Sequence, residues 1–180
     1  YLDNEERRIA TSVEPKGMVG DFAFLEVAWV NEYGAFLDWG LMKDLFCPFR
    51  EQKQRMVKGR SYIVHVHLDE ESFRIVASAK VEHFLSSLRV IEEGTAYEVD
   101  ESGAPLLVDD QPITLKVGDK VDALIWQKTG LGFKAIINNR YAALLYDSQV
   151  FRDLHTGDRV EAYISKIRPD GKIDIALQQA

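Results

Sequence analysis

A chain of 180 residues has room for one large domain or two small ones of about 50–100 residues. A hydrophobic share of 46% is ordinary for a globular protein and excludes a disordered or collagen-like chain. The net charge of −7 argues at first against a polyanionic partner, no apolar run approaches the ~18 residues of a membrane span, and the single Cys47 rules out an internal disulfide framework. A lone cysteine fits a reducing, cytoplasmic setting, where it serves as a small apolar filler.

The first element, residues 1–16, matches a stretch further along. Shifted by 66 positions, Leu2, Asp3, Glu5, Arg8, Ile9 and Ser12 fall on the identical Leu68, Asp69, Glu71, Arg74, Ile75 and Ser78. Residues 1–16 are therefore expected to be the last hairpin of a truncated repeat, and the chain a piece of a longer tandem array. Without its own barrel, that hairpin is expected to be mobile or to borrow a partner strand.

Residues 17–86 form the next unit, and it recurs at 117–180. At a shift of 98 positions, Val19-Gly20-Asp21 lands on Val117-Gly118-Asp119, Gly34 on Gly132, Gly59 on Gly157 and Ile75 on Ile173. The period inside each copy is two, the mark of strands. Tyr62, Val64, Val66 and Leu68 alternate with Ile63, His65 and His67; Val160, Ala162 and Ile164 alternate with Glu161, Tyr163 and Ser165. Asp69-Glu70-Glu71-Ser72 and Arg168-Pro169-Asp170-Gly171 punctuate the last two strands as turns. Several short strands in about 65 residues predict a small closed barrel in each copy, which also removes exposed sheet edges. Residues 80–87 read as a short exit helix.

Residues 87–116 do not match the repeat. They hold seven acidic and two basic residues, most of the chain's charge deficit. Tyr97–Asp100 and Leu106–Val108 suggest a β-hairpin, and its acidity suggests a solvated linker or insertion. The bodies on either side are near neutral, so each can carry a local basic face, because screening confines charge effects to ~8 Å at physiological salt. Such a balance predicts weak, salt-sensitive binding to a polyanion.

The elements of 17–86 then spell a pattern: Val19-Gly20-Asp21, Tyr33-Gly34-Ala35-Phe36-Leu37, Lys43-Asp44-Leu45-Phe46-Cys47-Pro48, Val57-Lys58-Gly59 and Arg74-Ile75-Val76-Ala77-Ser78. This resembles the S1 domain, an RNA-binding repeat of the OB fold. Gly34–Leu41 with Lys43-Asp44-Leu45 is similar to the second S1 repeat of the conserved virulence factor B family. Leu131–Lys134, Asn138-Asn139, Ile167–Asp174 and Leu177-Gln178 are similar to its third. The resemblance implies an all-β chain of tandem five-stranded OB-fold barrels, from a family with three S1 repeats and a C-terminal winged helix.

Single-stranded RNA is gripped by stacking bases on aromatic faces, at ~1–3 kcal/mol per base, with cations near the phosphates. The S1 pattern implies that Tyr33 and Phe36 stack and that Asp69 and Arg74 lie near the last turn. It puts a histidine where this chain has Cys47, which removes that contact. Alternation sets Ala35 and Leu37 on one face of the strand and Phe36 on the other, exposed. Trp39 shares the face of Phe36 if the strand runs on; otherwise it packs in the core or on a neighbouring domain. In the second copy the aromatic positions become Leu131 and Lys134 and the histidine position Leu145. Lys172 keeps the cationic end, with Arg168 beside it, and Tyr141, Arg140 and Tyr146 are available to rebuild a surface.

The chain is thus expected to be a non-catalytic module that binds single-stranded RNA in a bacterial protein regulating gene expression after transcription. The alternative is an OB-fold scaffold for ribosome- or RNA-associated proteins. His65 and His67 share a strand face, read as solvated, without the further ligands zinc needs. No phosphate-binding glycine loop and no nucleophile–base signature is present, so no cofactor, metal, small-molecule substrate, membrane contact or nuclease activity is expected.

Overall fold

Period-two alternation becomes fifteen strands in the computed structural model, which describes residues 17–178. The hairpin expected over 1–16 lies outside the described residues. The chain divides into two units, one ending at His83 and the other beginning at Phe84.

In the first unit, β1 (Phe22–Val30), β2 (Gly34–Asp38), β3 (Leu45–Pro48), β4 (Ser61–Asp69) and β5 (Arg74–Ser78) close a barrel in the order β1-β2-β3-β5-β4. Every pairing is antiparallel except β3 with β5. Leu25, Val27, Ala35, Leu37, Leu45, Val64 and Val66 fill the interior. Cys47 lies among them, fully buried, and burial pushes its thiol up to about 12, so it is a core filler. A 3-10 turn at Val81–Phe84 stands where the exit helix was expected.

In the second unit, β6 (Ser87–Glu92), β7 (Thr95–Val99), β8 (Leu107–Val108), β9 (Gln111–Pro112) and β10 (Thr114–Lys116) precede the second barrel. That barrel comprises β11 (Lys120–Lys128), β12 (Gly132–Ile137), β13 (Tyr141–Tyr146), β14 (Arg159–Ile167) and β15 (Ile173–Ala176), closed in the order β11-β12-β13-β15-β14. Both barrels therefore have five strands and one topology, the tandem OB-type architecture the repeat predicts. The correspondence extends to irregularities: the pairing of β1 with β2 slips between Val27 and Trp29, that of β11 with β12 between Ile125 and Gln127. A side chain at Gly34 would collide with the Cys47 carbonyl, and one at Gly132 with the Leu145 carbonyl. Each glycine is required by the same close approach of two strands.

Two expectations fail. The segment 87–116 is not a solvated excursion. Its β10-β7-β6 sheet places Ala96 and Leu115 within the apolar cluster of the second barrel, with Leu88 and Val90 packed against it. Six of its seven acids are exposed, in turns or at the end of β6, while Glu98 is buried. Average acidity concealed an amphipathic sheet. The main hairpin is β6–β7, turning at Glu93-Gly94; the expected hairpin is present in short form, a Val99–Pro105 bridge flanked by the Asp100 N–H to the Ala104 carbonyl and the Leu106 N–H to the Glu98 carbonyl, both at 2.9 Å. The second failure is the face carrying His65. Phe22 packs on its ring at 4.6 Å, His65 is buried, and β4 is covered on both sides over Ile63–Val66.

Candidate nucleic-acid interface

The outer face of β1–β3 carries an aromatic cradle. The slip in β1 sets Trp29 opposite Phe36, and their rings stack at 4.0 Å and 4°. A bulge of this kind re-aims a side chain. Phe36 is paired with Phe46 across β2 and β3, the rings 5.0 Å apart and tilted. Trp39, Met42, Lys43 and Asp44 of the β2–β3 connection and Phe73, Arg74 and Ile75 around the start of β5 complete the lining.

Both indoles are tied to the β2–β3 connection. The Trp29 Nε1–H donates to Asp44 Oδ2 at 3.0 Å, and the Trp39 Nε1–H donates to the Lys43 carbonyl at 2.8 Å. Rings held this way lose little conformational freedom when a ligand docks. Trp29, Met42, Phe73 and Ile75 are nevertheless exposed, an apolar patch beside the guanidinium of Arg74 and the amine of Lys43.

Of the residues expected here, Phe36, Trp39 and Arg74 come together. Trp39 follows the end of β2, half-buried, and packs partly on the core as well as lining the cradle. Tyr33 is exposed on the β1–β2 turn, outside the lining. Asp69 faces Arg74 across the β4–β5 hairpin but lines a separate shallow groove with His67, Leu68, Glu70 and Glu71. The Ser72 hydroxyl donates to Asp69 at 2.7 Å and holds its carboxyl below the usual range, so Asp69 organises the turn.

Trp29, Phe46 and Phe73 were missed. Phe46 was legible, since inward Leu45 and Cys47 leave it outward; an aromatic, not a gap, therefore adjoins Phe36 on β3. Trp29 was not legible, because strict alternation places it inward with Leu25 and Val27, and only the bulge turns it out. Phe73 sits at φ +57°, a backbone conformation that costs a bulky residue about 1–2 kcal/mol, and it is 80% exposed.

The second barrel lacks this cradle. Gln127 and Lys134 pair where Trp29 and Phe36 stack, Leu144 replaces Phe46, and Ile137, fully buried, replaces Trp39. Lys134 is exposed, with Nζ 5.2 Å from the centre of the Trp126 ring, and Leu131 and Lys172 are exposed. Arg168 is not an open phosphate contact: it is half-buried, paired with Asp174 at 3.2 Å and bonded to the Tyr146 hydroxyl.

Arg140 and Tyr141 do not rebuild a surface either, because both serve the buried Glu98. Arg140 Nε donates to Glu98 Oε1 at 2.9 Å, its terminal nitrogen meets the other carboxylate oxygen, and the Tyr141 hydroxyl donates to Oε1. Burial alone would push the Glu98 carboxyl up, but donation from Arg140, Tyr141 and Ser86 outweighs it and holds the group below the ordinary glutamate range. On the other flank, the Leu88 carbonyl stands where a side chain at Gly171 would go. Arg140 and Gly171 correspond to Met42 and Phe73, so the β10-β7-β6 sheet rests on the two turns that, in the first barrel, flank the cradle.

Among the described residues, no group of three metal-ligating side chains forms, and no helix is long and apolar enough to cross a membrane. No family model and no curated protein matches the chain. A solved structure, of a multidomain protein with nucleic acid binding domains from Streptococcus pneumoniae, is similar over 93% of this chain at 14% identity, with a TM-score of 0.42. The match covers 54% of that protein, so this chain spans about half its length.

Proposed function

We propose that the first barrel binds single-stranded RNA in the cradle of Trp29, Phe36, Trp39 and Phe46, as a non-catalytic module of a regulatory protein. The observation that carries this is the stacked Trp29–Phe36 pair, pre-set by indole hydrogen bonds and bordered by Arg74 and Lys43. Every unpaired base has a π face to lay on such rings, and the cations lie where a phosphate would follow. The chain's net charge of −7 implies a modest grip that weakens with salt. The S1 resemblance supports RNA over other single strands.

The test is fluorescence anisotropy of a labelled single-stranded RNA, titrated at low and physiological salt, with Phe36→Ala/Arg74→Ala alongside. Saturable binding, lost with salt and in the variant, is expected. No binding at low salt would favour a protein-docking role instead. A specific feature motivates that alternative: in the second barrel the matching turns hold a β-sheet of the chain itself.

A further inference from the structure

We infer that Phe73 is a base-stacking residue, an aromatic finger on the β4–β5 turn that closes over an unpaired base in the cradle. This rests on the RNA-binding role proposed above and adds a contact that the S1 pattern does not supply.

Three observations converge. The first is conformation. Phe73 adopts φ +57°, and the matching residue of the second barrel is Gly171 at φ +87°. The last hairpin of each copy thus places a left-handed residue here, and glycine adopts that conformation without strain. The first copy holds a phenylalanine there at a conformational penalty.

The second is burial. Phe73 is 80% exposed and stands outside the barrel's apolar core. A penalised backbone whose ring gains no burial in return points to a role outside folding.

The third is position. Phe73 lines the cradle together with Arg74, Ile75, Met42 and Lys43. The same turn carries the cation and the ring, so a base under Phe73 would have its phosphate beside Arg74. The turn is also braced. The Phe73 N–H donates to the Asp69 carbonyl at 2.7 Å, and the Ser72 hydroxyl donates to the Asp69 carboxylate. In the second barrel the space is occupied by Leu88, which excludes any side chain at Gly171. The ring is present where the face is open and absent where it is covered.

The decisive feature is that affinity and stability should move in opposite directions. Phe73→Gly and Phe73→Asn both suit a left-handed backbone, and asparagine does so without adding the flexibility of glycine. Each variant of the 180-residue chain would be titrated with a labelled oligouridylate and melted without ligand. Both should bind roughly tenfold more weakly, with a midpoint equal to or a few degrees above that of the parent. Phe73→Trp should restore or exceed the parent affinity. Parent-like binding by both Phe73→Gly and Phe73→Asn would overturn the inference and leave the cradle's role intact. So would a lowered midpoint, which would make the ring structural. Absence of RNA binding by the parent chain would overturn both.

Discussion

The two barrels share topology, a bulge between their first two strands and the register of every pairing but the last hairpin, where β14–β15 slips between Ile164 and Lys166, yet one presents an open aromatic face and the other supports a sheet. Their interiors are interchangeable in kind, aliphatic side chains alternating inward from five strands. The difference lies in six matched positions around one face. Trp29, Phe36, Trp39, Met42, Phe46 and Phe73 are answered by Gln127, Lys134, Ile137, Arg140, Leu144 and Gly171. A fold of this size can hold its core constant while one face passes from ligand recognition to internal packing. The exchange is coordinated. Loss of the ring at Gly171 makes room for Leu88, and gain of Arg140 supplies a partner for Glu98.

The largest expected effect tests whether that sheet is integral to the second barrel. Glu98→Ala would leave the Tyr141 hydroxyl and the inner side of Arg140 without their acceptor. Breaking a fully buried pair costs about 3–5 kcal/mol, and the partial exposure of Arg140 lowers the expectation to about 2–3 kcal/mol. Hydrogen exchange should show lost protection in β6, β7, β12 and β13, with the first barrel unchanged. Equal loss in both barrels would break the comparison. The pH dependence has a definite sign. Because the Glu98 pKa is depressed in the folded state, its contribution is present above the ordinary value of 4.5 and is lost as pH falls through the lower folded value.

Next in size is an exchange between the two faces. Phe36→Lys gives the first barrel the residue of the second and removes one half of the stack, so RNA affinity should fall about tenfold, or ~1.4 kcal/mol. The reverse change, Gln127→Trp/Lys134→Phe, should gain less than about twofold, because Ile137, Arg140 and Gly171 still lack the remaining walls. A strong gain would mean that the stacked pair suffices and that the sheet does not limit access. Anisotropy titrations of the parent and these two variants separate these outcomes.

The barrels were legible in the sequence because glycines and aliphatics recur at one fixed spacing, and the matched close approaches at Gly34 and Gly132 enforce the same strand crossing. Phe36 and Arg74 were legible from alternation and resemblance. Trp29 was hidden because one extra residue in a strand inverts every later side chain, and nothing in the local residues marks the bulge. The packing of 87–116 was hidden by averaging: six exposed acids masked Ala96, Leu115 and the one acid that turns inward. His65 was misjudged because alternation says which residues share a face, not whether something covers that face.

That last residue yields the smallest expected effect and one that also divides the barrels. Burial against Phe22, with His67 adding to it, lowers the His65 pKa from 6.5 to about 4, against weaker opposing contributions from Gly20 and Asp21. The folded first barrel therefore holds His65 neutral where the unfolded chain would protonate it. Its contribution is complete above pH 6.5, erodes as pH falls from there, and is lost by about pH 4. By pH 5.5 the loss is about 1 kcal/mol, roughly 5 °C in the melting midpoint of a domain this small. The second barrel has Tyr163 at the matching position, and the one histidine of its unit, His155, is exposed. Melting between pH 7.5 and 5.5 should thus lower the first transition and leave the second in place, and His65→Leu should abolish the slope. A slope that persists in that variant would assign the acid sensitivity to another group and remove this distinction between the two barrels.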